Sequence, residues 1–216
     1  MPNYAWNEMN MKVSDYKKYV LNPENDADRA VDFNILLPMP KVYESYGSGS
    51  DSNRALVYYI SDRMTLTSDE TNAKIRALLP NDYMWKYAGY ETTYNSINRV
   101  AIEDTNAAYE LGKQIVENIK NFGSKDWYDW CYANWGTKWN AFDCEEDYID
   151  EEDDFCSIRF TTAWGAPHEW LIELSKYCDF ELTCDVEGSD TRYRYICENG
   201  KLRYFESDFV EKELKV

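Results

Sequence analysis

The stretch SIRFTTAWGAPHEWLIELSKYCDFELTCDVE, residues 157–187, decides the fold. Ile158, Phe160, Thr162 and Trp164 alternate with Ser157, Arg159, Thr161 and Ala163. Phe180, Leu182, Cys184 and Val186 alternate with Glu181, Thr183, Asp185 and Glu187. A period of two sends alternate side chains to opposite faces, so both segments predict half-buried strands. Between them Pro167 suits the first turn of a helix to Cys178, with Leu171, Leu174 and Cys178 toward the sheet.

Downstream, Asn199-Gly200 is a strong signal for a two-residue turn and predicts a hairpin over Arg192–Phe205. If Glu198 pairs with Lys201, one face carries Arg192, Arg194, Ile196, Lys201, Arg203 and Phe205. The other carries Tyr193, Tyr195, Cys197, Leu202 and Tyr204, and this tyrosine face is expected in the core. Upstream, residues 138–145 and 4–13 read as strands. Ser14 is the expected N-cap of a helix through Leu21 that stops near Asn22-Pro23. The order is βαββαβ, an α+β ferredoxin-like sheet with a large helical insertion and a C-terminal β-hairpin. The expected domains are 1–24 plus 137–216 for the sheet and 25–136 for the insertion.

Within the insertion, residues 25–32 are a polar connection and Phe33–Leu37 reads as an extended run into Pro38-Met-Pro40. YGSGSDSN, residues 46–53, is the expected flexible loop. From Arg54 the pattern is helical, although Val57–Ile60 alone would pass for a strand. One helix is expected from near Ser68 to Leu79 with Pro80 ending it. Another carries Ala108, Leu111, Ile115, Ile119 and Phe122 on one face and is capped by Gly123. DWYDWCYANWGTKWNA, residues 126–141, holds half of the eight tryptophans. As a helix over 126–135 it aligns Trp127, Trp130, Cys131, Asn134 and Trp135 before Gly136 stops it. The rings Trp127, Trp130, Trp135, Trp139 and Trp164 either pack the insertion on the sheet or line a small-molecule groove; regular placement favours packing.

The tryptophan segment, FNILLPMP (33–40), LGKQIVENIK (111–120) and FTTAWGAP (160–167) together resemble a family from bacterial plasmids, phages and genomic islands. Its C-terminal part is the YubB ferredoxin-like domain. The resemblance implies that fold and a mobile-element origin, and carries no established activity. The opening MPNYAWNEMNMKV is also similar to the family start, but Tyr4 and Ala5 replace the aromatic and cysteine found there. No metal or redox role for an N-terminal cysteine can be carried over.

At 216 residues, 44% hydrophobic and 16% aromatic, the chain can fill a substantial core. It shows neither a run able to span a bilayer nor a leader pattern, so the expected location is the cytosol of the host cell. The cysteines at 131, 144, 156, 178, 184 and 197 lack metal-ligand spacing and are expected to be reduced, with Cys131 and Cys184 acting as small hydrophobes. Residues 1–120 carry 13 basic and 17 acidic side chains, residues 121–216 carry 10 and 23, so net charges of −4 and −13 make up the −17.

Most of that excess lies in DCEEDYIDEEDD: Asp143, Glu145, Glu146, Asp147, Asp150, Glu151, Glu152, Asp153 and Asp154. The run reads first as a mobile, solvated loop joining the second and third strands. Two alternatives are a decoy surface for a basic nucleic-acid-binding site and a cation site; the latter lacks the glycine and spacing of a calcium loop. The lone His168 is expected in an exposed first helical turn, in a capping or solvent role. No phosphate loop, dinucleotide fingerprint or nucleophile elbow appears, so neither enzymatic activity nor a cofactor is expected. The leading expectation is a non-enzymatic interaction protein whose nine carboxylates occupy a basic surface on a host protein, such as a defence nuclease or its effector complex. Nucleic acid is a disfavoured partner and a membrane is not expected. The rival reading binds nucleic acid through Arg192, Arg194, Lys201 and Arg203, and a third places a small molecule at the tryptophan junction.

Overall fold

β1 (Tyr4–Met11) buries Ala5, Asn7, Met9 and Met11 and exposes Tyr4, Trp6 and Glu8, the alternation of a strand with one face on a core. A computed structural model of the chain, describing residues 3–79, 90–99, 102–206 and 210–212, places β1 in the interior of one antiparallel sheet, paired along both edges. The other strands are β2 (Phe142–Asp150), β3 (Phe155–Ala163), β4 (Phe180–Val186), β5 (Arg192–Glu198), β6 (Lys201–Glu206) and β7 (Val210–Lys212). Their order is β2-β3-β1-β4-β5-β6-β7. With the helices Val13–Tyr19 and His168–Leu174 as crossovers, β1 to β4 form the ferredoxin-like βαββαβ unit, and β5 to β7 extend it. The class is α+β.

Register follows the expected faces. Met9 lies opposite Ile158 and Leu182, all at most 1% exposed. Trp170, Leu171 and Leu174 from the second crossover helix are fully buried. Glu198 faces Lys201, and Asn199 and Gly200 have φ of 53° and 72°, the left-handed pair of a two-residue hairpin turn.

The chain divides into two compact units, residues 1–38 with 131–216 and residues 39–130. The expected break after residue 24 therefore moves to 38. Leu21 bridges Val31, and Phe33 is fully buried with its ring 4.8 Å from Trp170 and 6.1 Å from Phe160. That burial also explains why Phe33–Ile35 is a 3₁₀ turn rather than extended: Asp32 accepts the Asn34 N–H and caps it.

Other boundaries shift for local reasons. Ser14 is not the cap of the first helix, which begins at Val13; its N–H and hydroxyl donate to Asp154. β2 begins at Phe142 rather than 138; just before it the Asn140 side chain accepts the Ala141 and Phe33 N–H groups. β3 ends at Ala163. Trp164, expected on the inward face, has φ 72° and is 38% exposed.

In the helical unit the described residues form the helices Ser50–Ile60, Ser68–Leu78, Tyr90–Arg99 and Thr105–Phe122. The glycine-serine loop is shorter than expected because Ser52 bonds back to Gly49 and starts a helix at Ser50. Leu56, Val57, Ile75, Ile115 and Ile119 form its core, and Val57–Ile60 is helical. Thr67 and Glu70 make a reciprocal capping box, while Pro80 lies outside the described residues. Gly123 caps Thr105–Phe122 in the left-handed conformation. Gly112 lets that helix touch Ser50–Ile60: a Cβ there would lie 2.2 Å from the Ala55 carbonyl oxygen.

The tryptophan helix runs Trp127–Trp135, and the division into units falls inside it. Asp126 accepts the Asp129 N–H at its start. Trp130, Cys131 and Trp135 are buried, and the Trp135 indole donates to the Leu37 carbonyl at 3.0 Å.

Candidate functional site

The acidic run is not a mobile loop. Asp143 to Asp150 lie in β2, the terminal strand of the sheet, and residues 151–154 form the tight turn into β3. The pairing of β2 with β3 slips between Phe142 and Glu145 and again between Glu146 and Tyr148. These irregularities break the period of two, so the run does not read as a strand.

Six of the nine carboxylates have partners. Asp150 accepts the Glu152 and Asp153 N–H groups and the Tyr148 hydroxyl, which hold its carboxyl below the ordinary value. Asp154 is likewise lowered by its bonds from Ser14. Glu146 accepts the Tyr16 hydroxyl at 2.9 Å. Glu151 pairs with Lys17, and Arg159 pairs with Asp147 and, at 3.9 Å, Glu145. Asp143, Glu152 and Asp153 make no such bond among the described residues.

The hairpin bases are committed within the sheet rather than to the acidic run. Arg192 makes a two-pronged pair with Asp185 at 2.8 and 2.6 Å, Arg194 meets Glu181 at 2.7 Å, and Arg203 meets Glu198 at 2.5 Å. Lys201 alone makes no ion pair among the described residues. The opposite face behaves as expected at Tyr195 and Cys197, which are 5% and 1% exposed, while Tyr193, Leu202 and Tyr204 are half-buried.

His168 is half-buried, not solvent-facing, because β5 and β6 bring tyrosines onto it. Its Nδ1 lies 3.2 Å from the Tyr195 hydroxyl, and the Tyr204 ring is edge-on at 6.2 Å. Beside it burial raises the Glu169 carboxyl above the ordinary value, an effect His168 partly offsets. Gly136 makes room: a Cβ there would meet the Glu169 Oε2 at 2.4 Å.

Sequence reasoning missed the most highly bonded carboxylate of the sheet unit, Asp32. It accepts from the side-chain amides of Asn22 (2.8 Å), Asn25 (3.2 Å), Asn34 (2.9 Å) and Asn140 (2.7 Å), and from the Asn34 N–H. Burial alone would raise its carboxyl, but these donors hold it below the ordinary value. Three asparagines, Asn22, Asn25 and Asn34, around Asp32 were a visible signal for the near half of this network; nothing pointed to Asn140. Asp32 forms part of the wall of a cleft of about 560 Å³ that also involves Tyr4, Arg29, Trp139 and Phe142. Of the five rings considered for a groove, only Trp139 lines it.

Among the described residues, no cluster of three or more His, Cys, Asp or Glu is disposed to hold a metal. The six cysteines are free; burial pushes Cys144 and Cys156 up to about 11 and Cys178 and Cys184 up to about 12, so these thiols stay protonated near neutrality.

Residues 134–212 match the family model for the ferredoxin-like domain in Api92-like protein. Among solved structures, the crystal structure of a protein api92 from Yersinia pseudotuberculosis aligns over 93% of this chain and 95% of its own, with 11% identity and a TM-score of 0.38. No curated protein matches the chain.

Proposed function

We propose that the chain is a non-enzymatic interaction protein of a mobile genetic element, of the plasmid and phage group with a YubB domain, acting in the host cytosol. In this reading β2 and its turn occupy a basic, nucleic-acid-binding surface of a host protein, such as a defence nuclease. The observation that carries it is that the acidic run is an extended edge strand. Side chains on one face of a strand recur about every 6.8 Å, so carboxylates on one face can match roughly every second of the charges that one DNA strand sets about 3.4 Å apart. Lys17 and Arg159 are the two cations paired with the nine carboxylates, which leaves the ribbon seven charges negative. No helix among the described residues is long and apolar enough to cross a membrane.

The basic hairpin supports nucleic-acid binding less well. Phosphate would have to displace Asp185, Glu181 and Glu198 from three of its four cations. Such exchange gains little when the carboxylates are then left unpaired.

The test is capture of a partner from the natural host, then kinetics with the purified pair. Association should slow as salt rises, since exposed charges are screened within about 8 Å at physiological ionic strength. Duplex DNA should compete. Asp143→Asn with Glu152→Gln and Asp153→Asn should reproduce the loss at unchanged stability, because these three make no hydrogen bond or ion pair among the described residues; Arg192→Ala with Arg194→Ala should do less. Salt-independent binding, or binding lost only with the arginine pair, overturns the proposal.

A further inference from the structure

We infer that the cleft beside the entrance to β2 is a binding site for a mononucleotide, a planar aromatic base carrying a phosphate. This rests on no part of the acidic-strand reading. The cleft's volume of about 560 Å³ lies inside the range of roughly 300–1,000 Å³ in which small-molecule sites fall. Its walls are aromatic: the Tyr4 and Phe142 rings meet edge-on at 5.5 Å, and those of Trp139 and Phe142 at 6.4 Å. Tyr4 is 38% exposed even though it stands beside other rings. An array of rings left open to solvent costs hydrophobic free energy that a stacked base would recover.

The polar groups are arranged for an anion. Arg29 is exposed and makes no ion pair among the described residues, in a chain of net charge −17 where most other arginines of the sheet unit are paired. Lys138, which is not itself in the cleft wall, lies 4.6 Å from the centre of the Trp139 ring and makes no ion pair among the described residues. The one carboxylate in the wall, Asp32, is 6% exposed and already accepts five hydrogen bonds, so its charge is largely offset. Its role is positional. By taking the Asn25 amide donor it fixes that side chain and leaves the Asn25 carbonyl oxygen to accept from an exocyclic amino group. The guanidinium then takes the phosphate, the geometry in which arginine excels.

Calorimetric titration of the full chain with adenosine 5′-monophosphate, adenosine and inorganic phosphate separates the contributions. The monophosphate should bind, adenosine more weakly, and phosphate alone least. Arg29→Ala should weaken the monophosphate by about tenfold or more, the loss of one charged hydrogen bond, and leave adenosine unchanged. Trp139→Leu should weaken both, with far-ultraviolet circular dichroism confirming the fold. Failure of the monophosphate to bind at millimolar concentration, or equal affinity for it in wild type and Arg29→Ala, overturns the assignment.

Discussion

The carboxylate of Asp32 and the side-chain amide of Asn140 meet at 2.7 Å although 108 residues separate them. The same amide's oxygen accepts the Phe33 N–H and the Ala141 N–H, both at 2.9 Å. One side chain therefore fixes the segment after the first helix against the start of β2. The chain leaves the sheet unit after residue 38, six positions beyond Asp32, and re-enters it at residue 131, nine positions before Asn140.

Asn140→Ala should cost about 2–4 kcal/mol, since it leaves two backbone donors without their acceptor and removes a donor from a buried carboxylate. Because Asp32 titrates below its ordinary value in the fold, its contribution is present above the unfolded pKa and is lost as pH falls through the folded one. The gap between wild type and variant in urea unfolding should be wide at pH 7 and narrow in acid. A gap that does not change with pH would mean that Asp32 is not the partner that matters.

Gly112→Ala tests two opposed effects. Helix propensity alone favours alanine by about 1 kcal/mol. Against this, the new methyl would stand 2.2 Å from the Ala55 oxygen and 2.5 Å from the Tyr59 Cβ, and backbone cannot step aside cheaply. Overpacking of about 1–3 kcal/mol or more should win, so the melting temperature should fall. A rise would show that the two helices separate freely.

Glu169→Gln should stabilise the protein increasingly as pH rises. The folded carboxyl has a raised pKa, so its contribution is intact below the unfolded value, about 4.3, and is lost as pH climbs through the folded one. Glutamine keeps the shape without the charge. The difference in melting temperature should be small near pH 4 and favour the variant at pH 7. Because the neighbouring His168 acts electrostatically on the same carboxyl, the comparison should be repeated on a His168→Asn background. Greater stability of wild type at pH 7 would show that the ionised form is the favoured one.

Legibility tracked how local the physics was. β3, the following helix, β4 and the hairpin announce themselves because each has its own period and its own turn, and the face assignments at Leu182 and Tyr195 follow. β2 was misplaced because bulges erase its alternation and because a run of carboxylates looks solvated whether or not a neighbouring strand holds it. The Asp32 network could be read only in its near half, since its closing member, Asn140, comes 108 positions later in the chain. His168 looked exposed from its helix alone; only the hairpin, two elements later, covers it.

The interior position of β1 fixes an order of events during synthesis. Met11 must wait for Cys156 and Phe180 before either edge of its strand is paired. At about 5–20 residues per second that wait is on the order of ten seconds. Meanwhile Leu56, Ile75 and Ile115 have all emerged, so the helical unit can acquire its core while the first strand is still a solvated ribbon. The middle of the chain can thus be finished before its flanking parts can pair, and the delay until residues 156 and 180 are made sets how long the bare edges of β1 stand open to other chains.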